Sequence, residues 1–201
     1  MDELMVSGNM DQVNEDEIPA FADMEIERFA PSDEIQAAEI GEVFHDIPEL
    51  QFENWEKLSM DERVGALSEL ELHIAEIAHR PAMPLEIQNT AENVNGFFDG
   101  QRIVLSNDFL SSDSKEDYEQ TLATLIHEGR HAYQYYNLYS GEVVESNEEK
   151  VNAWRVNLDV LGYEPGDSFL FPEISLAKYY TQPIEVDARV YTNEAMRAIN
   201  I

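Results

Sequence analysis

Five consecutive residues, His127-Glu128-Gly129-Arg130-His131, carry the side chains of this chain best suited to chemistry. Two imidazoles four residues apart leave one face of a helix about a turn apart, so both rings can reach a single ion. Zinc accepts imidazole nitrogen, and a catalytic zinc site keeps one position for water. Glu128, beside the first imidazole, can take a proton from that water and return it to a leaving amine. The motif therefore predicts a Zn2+ site with His127 and His131 as ligands and Glu128 as general base, hydrolysing without a covalent intermediate. Neither a serine nucleophile elbow nor a phosphate-binding glycine loop occurs elsewhere to compete with it.

Two histidines and a water leave a tetrahedral site one ligand short. The chain has no cysteine, so the third ligand must be a histidine or a carboxylate. His45 lies in an acidic first segment, and His73 and His79 lie on an early helix, which makes them poor sources. Past His131 the chain reads Ala132-Tyr133-Gln134-Tyr135-Tyr136, without the third histidine of the metzincin pattern. The best remaining source is Gln182-Pro183-Ile184-Glu185-Val186-Asp187-Ala188-Arg189, where two acids fall in the first turn of a helix opened by proline. A donor for a developing oxyanion would be sought nearby, among Tyr179, Tyr180, Tyr191 and Arg189.

The elements that must position these groups are legible as patterns. Ser111-Ser112-Asp113-Ser114, with acids in the turn that follows, predicts a helix from about Lys115 to Tyr139, with Leu122, Leu125 and Ile126 burying one side while the histidines face a cleft. Ser59-Met60-Asp61-Glu62 is a capping box ahead of Val64, Leu67, Leu70, Ile74 and Ile77, in a helix that must stop before Arg80-Pro81. Asp99-Gly100, flanked by Phe97-Phe98 and Ile103-Val104-Leu105, predicts a hairpin whose edge offers an extended peptide a strand to pair with. Further helices are expected from about Asn147 to Leu161, from Phe169 to Tyr180, and from Pro183 through Ile184, Ala188, Tyr191 and Ala195.

The formal charge of −30, from 42 acidic and 12 basic residues, argues against ordinary nucleic-acid binding, because such a field repels phosphates. Residues 1–50 hold fifteen acids against Arg28 alone, and are read as an acidic N-terminal appendage, partly flexible, that could dock a partner; Ala37, Ile40, Phe44 and Ile47 mark one apolar helix face inside it. Residues 51–201 are read as the domain proper. No signal peptide or run of about 18 apolar residues is visible, which predicts a soluble chain without a membrane span, cytoplasmic or delivered as an effector.

The histidine motif and the Pro183-Ile184-Glu185-Val186-Asp187-Ala188 segment together resemble the gluzincin class of metallopeptidases, in particular the compact metallopeptidase domains of bacterial toxins and effectors, over roughly residues 95–195. The resemblance implies a zincin-like α+β fold, mainly α, with a small antiparallel sheet or hairpin packed on the motif helix and helices after it. It also implies Glu185 as third zinc ligand and a protein or peptide substrate. Many members carry an aspartate four residues after that glutamate, where this chain has Arg189; Asp187 then becomes either the carboxylate that orients a ligand imidazole or the ligand itself. Glu145, Glu148 and Glu173 are other carboxylates able to complete the site. The expected function is zinc-dependent peptide-bond hydrolysis by a toxin or effector protease. The alternatives are an acidic interaction or inhibitor protein imitating nucleic acid, and an intracellular regulatory protease.

Overall fold

In the computed structural model, which describes residues 28–91, 94–165 and 172–200, the elements follow in the order α1 (Asp33–Asp46), a 3-10 turn (Pro48–Leu50), α2 (Phe52–Trp55), α3 (Met60–Ile77), β1 (Leu85–Gln88), β2 (Gly96–Phe98), β3 (Ile103–Ser106), α4 (Asn107–Leu110), α5 (Lys115–Tyr139), α6 (Glu148–Arg155) running into a π turn (Val156–Leu161), α7 (Pro172–Thr181) and α8 (Pro183–Ile199). The fold is α+β and mainly α. No helix among the described residues is long and apolar enough to cross a membrane.

Local sequence explains most boundaries. The backbone amide of Ser59 donates to Glu62 (2.8 Å) and the Glu62 amide to the Ser59 hydroxyl (3.4 Å), closing the capping box of α3. That helix ends before His79, whose φ of 52° leaves the helical region ahead of Arg80-Pro81. Ser114 caps α5 by accepting from the Asp117 amide. Asn147 does the same for α6 through Lys150, and Gly162, at φ 81°, ends the π turn.

The Asp99-Gly100 turn closes an antiparallel β2–β3 pair, Gly96 opposite Leu105 and Phe98 opposite Ile103, with Gly100 at φ 93°. Gly96 is needed for a second reason. A Cβ there would lie 2.5 Å from the Val104 carbonyl oxygen and 2.7 Å from the Thr124 methyl, so the hairpin can approach α5 this closely only without a side chain. The sheet is not purely antiparallel as expected from sequence. β1 pairs with β3 in parallel, Leu85 opposite Ile103 and Ile87 opposite Leu105, giving the order β1-β3-β2. The third strand satisfies the other edge of β3, which is buried along its whole length. β2 is left as an edge strand over α5.

One core joins Leu67, Leu70 and Ile74 of α3, Ile103 and Leu105 of β3, Leu122, Leu125 and Ile126 of α5, and Tyr191, Ala195 and Ile199 of α8. Ala37, Ile40 and Phe44 of α1, with Ile47 and Leu50, belong to that core. The apolar face foreseen within residues 1–50 is thus built into the body, and residues 33–50 are not set apart from it. Residues 1–27, and the Phe169 start foreseen for α7, lie outside the described residues. A second cluster, Tyr133, Val151, Trp154 and Ile184 among its members, locks α5 to α6 and to the first turn of α8.

Candidate metal centre

With Leu122, Leu125 and Ile126 fully buried, α5 must turn His127 and His131 toward the opposite side, where each is only partly covered. The first turn of α8 faces them. Pro183 opens that helix, the Asn157 side chain accepts from the Ile184 amide (3.3 Å), and the Ile184 carbonyl accepts from Gln134 Nε2 (2.9 Å). Glu185 follows, wholly buried, so it is no solvated acid complementing a helix dipole.

Three side chains converge. His127 Nε2 and His131 Nε2 are 3.2 Å apart, Glu185 Oε2 is 3.4 Å from His127 Nε2, and Glu185 Oε1 is 3.3 Å from His131 Nε2. This group could hold a metal ion. Oε2 of Glu185 is buried and makes no well-aligned hydrogen bond, with His127 Nε2 at 3.4 Å and Arg189 Nη1 at 3.6 Å beside it. Burial by itself would raise the pKa of Glu185, yet the His127 and His131 imidazoles against its two oxygens hold it well below the usual carboxylate range. Burial would likewise lower His131, but the Glu185 hydrogen bond and the Glu128 charge keep it up at about 9.

Glu128 is nearly buried, and its Oε2 accepts the Phe98 amide at 2.8 Å, so the edge strand β2 fixes its carboxylate. Asp187, two residues past Glu185, points elsewhere. It accepts from Arg130 Nε (2.8 Å) and Nη2 (3.1 Å) and from Gln134 Nε2 (2.7 Å), and lies outside the ligand group. Glu145 binds Lys150 (3.0 Å), while Glu148 opens α6 and Glu173 opens α7; none of them joins the ligand group, nor do His45, His73 and His79.

Of the four candidate oxyanion donors, Tyr179 faces the site. Its partial burial and the Glu185 carboxylate raise its pKa. Arg189 brings Nη1 to 3.6 Å from Glu185 Oε2 and donates from Nη2 to the Tyr180 carbonyl, with its guanidinium over the Tyr180 ring. Tyr180 itself is exposed. Tyr191 is a correction: it lies in the core, its hydroxyl donates to Gln36 (3.0 Å), and its ring packs 4.4 Å from the Arg130 guanidinium carbon. A helical period that puts Ile184, Ala188 and Tyr191 on one face buries the last of them with the first two.

Three residues at or behind the site escape sequence reasoning. Tyr163, just after the π turn, donates its hydroxyl to Glu185 Oε1 (2.9 Å) and sits edge-on to Tyr179, centroids 6.3 Å apart. Nothing but an aromatic residue following Gly162 signals it. Gln134 and Arg130 lie within or beside the motif, but their partners come from α8 and α1, which spacing along α5 cannot reveal. Comparison of the chain with protein family models, with curated proteins and with solved structures finds no match in any of the three.

Proposed function

We propose that this chain is a zinc-dependent metallopeptidase in which His127, His131 and Glu185 hold the metal and Glu128 is the general base. The observation that carries the reading is how closely the donor atoms gather: the two imidazole Nε2 atoms are 3.2 Å apart, with Glu185 Oε1 3.3 Å from that of His131 and Glu185 Oε2 3.4 Å from that of His127. Donors about 2.0–2.1 Å from a tetrahedral ion are separated by about 3.3–3.4 Å, so the nitrogen–nitrogen spacing and each nitrogen–oxygen spacing have the size such an ion requires. The donor set, two neutral imidazoles and one carboxylate, leaves a fourth position for water or substrate. Zinc there would lower the pKa of a water and polarise a substrate carbonyl.

The protein's own groups supply the rest. Glu128, anchored by the Phe98 amide, is held at the site mouth to accept a proton and pass it to the departing amine. The hydroxyls of Tyr163 and Tyr179, both grouped around Glu185, are neutral donors beside the ligand group that could serve charge developing on a carbonyl oxygen. β2, as an edge strand beside Glu128, supports peptide as the substrate class, since an extended chain could pair along it. The acidic surface favours basic partners and repels nucleic acid.

The test is metal analysis of the purified protein together with cleavage of an unfolded protein substrate. One zinc per chain and chelator-sensitive cleavage are expected, with Glu128→Gln retaining zinc but losing about 10²–10⁴-fold in turnover. A chain that takes up no added zinc, or a Glu128→Gln variant as active as the parent, refutes the reading.

A further inference from the structure

Gln134 lies one turn beyond the second histidine and is wholly buried, yet it is polar. Its amide nitrogen faces two groups that can only accept in this setting: the Ile184 carbonyl at 2.9 Å, and Oδ2 of Asp187 at 2.7 Å. Asp187 is kept ionised by the Arg130 guanidinium, which meets both its oxygens, with Lys150 Nζ at 3.6 Å. Turning the amide over would set its oxygen against both acceptors, so its orientation is forced. The amide oxygen therefore points at His131 Nδ1, 2.8 Å away, and it can only accept. Nδ1 must carry the proton. The other ring nitrogen, Nε2, lies beside His127 Nε2 and Glu185 Oε1, and is the one free to give up its proton and present a lone pair to a metal ion there.

We propose that Gln134 is a positioning residue for the metal centre: it fixes His131 in its Nδ1–H tautomer, and through Ile184 it holds the helical turn that delivers Glu185. The inference rests on the metal-site reading above. A ligand imidazole commonly donates its free N–H directly to a carboxylate or a carbonyl. Here the carboxylate, Asp187, stands one residue further back, and a neutral amide transmits its orientation without placing a second anion beside the ligands. The same side chain ties two ligands on separate helices, His131 from α5 and Glu185 from α8, into one unit.

The test uses zinc alone as the probe and the whole chain. In the zinc-loaded wild type, long-range ¹H–¹⁵N correlation of the His131 ring should show a protonated Nδ1 and a coordinated Nε2. Gln134→Leu removes the acceptor and should weaken zinc binding about 10–100-fold in competition with a chromophoric chelator. Gln134→Glu keeps the acceptor for Nδ1 but loses both donors and sets a carboxylate against Asp187 and the Ile184 carbonyl; its metal-free form should melt lower, while zinc binding weakens less than in Gln134→Leu. A merely structural glutamine would lower zinc affinity in step with melting, and so at least as much in Gln134→Glu as in Gln134→Leu, which overturns the proposal. A wild type that takes up no zinc overturns this inference together with the site itself. Zinc uptake with Nδ1 coordinated, or with unchanged affinity in Gln134→Leu, overturns the role of Gln134 and leaves the site standing. The tautomer measurement decides the question even where a variant fails to fold.

Discussion

Arg130→Met should destabilise the protein by about 3–5 kcal/mol, the range expected when one partner of a buried ion pair is removed. The guanidinium is 1% exposed and makes three hydrogen bonds to carboxylates, two to Asp187 and one to Asp33 (3.0 Å). It also lies 4.4 Å from the ring centroid of Tyr191, 4.6 Å from that of Tyr133 and 5.5 Å from that of Trp154. Methionine fills most of the volume and keeps ring contacts, but leaves Asp187 charged, nearly buried and short of its main partner. Lys150 offsets part of the loss, since its ammonium reaches Asp33 at 2.6 Å and Asp187 at 3.6 Å. The lower half of the range is therefore expected, which for a chain of this size lowers Tm by about 6–16 °C.

Urea unfolding of the metal-free protein, followed by far-ultraviolet circular dichroism, measures the loss directly. Trp154 fluorescence provides a second probe beside the substituted residue. The double variant Arg130→Met/Asp187→Asn should recover at least about 1 kcal/mol relative to the sum of the singles, because the stranded charge is then gone. A loss below about 1 kcal/mol for Arg130→Met, or strict additivity in the double variant, would show that the buried network does not hold α1, α5 and α8 together as argued.

Other substitutions probe separate links. Glu185→Gln removes the one anionic ligand and should weaken zinc binding, in chelator competition, by more than the about 10–100-fold that loss of a supporting partner causes; Asp187→Asn should be the milder of the two. Gly96→Ala drives a methyl into the Val104 carbonyl and Thr124, and thermal melting should show a loss of about 1–3 kcal/mol, with Glu128 displaced as the hairpin lifts from α5. Ser59→Ala opens the capping box of α3 far from the site, and should lower stability by about 0.5–2 kcal/mol in urea titration while zinc affinity stays unchanged.

Much of this architecture is local and so was readable from residues in order. Caps at Ser59, Ser114 and Asn147, the Asp99-Gly100 turn and the stop at Arg80-Pro81 each act within a few residues, and the helices start and end where those signals stand. The pair His127 and His131 is of the same kind, since four residues on a helix fix two side chains to one face whatever surrounds them. β1 was not readable in this way. Its partner in the sheet lies eighteen residues further on, Leu85 against Ile103, and parallel pairing leaves no turn signature between the strands.

The choice among carboxylates belongs to tertiary structure. Glu185 and Asp187 stand two residues apart on α8, so their side chains diverge by about 200° around the helix. Sequence presents both acids and cannot say which face meets α5. Packing does: Ile184, Ala188 and Tyr191 enter the core, the first turn is held by Asn157 and Gln134, and that rotation sends Glu185 to the histidines and Asp187 to Arg130. Residue order alone dictates a pair of imidazoles on one helix face with a carboxylate beside them. Only the docking of α8 against α5 made them a three-ligand cluster, because the third ligand is more than fifty residues away and its direction is set by what the rest of its helix buries.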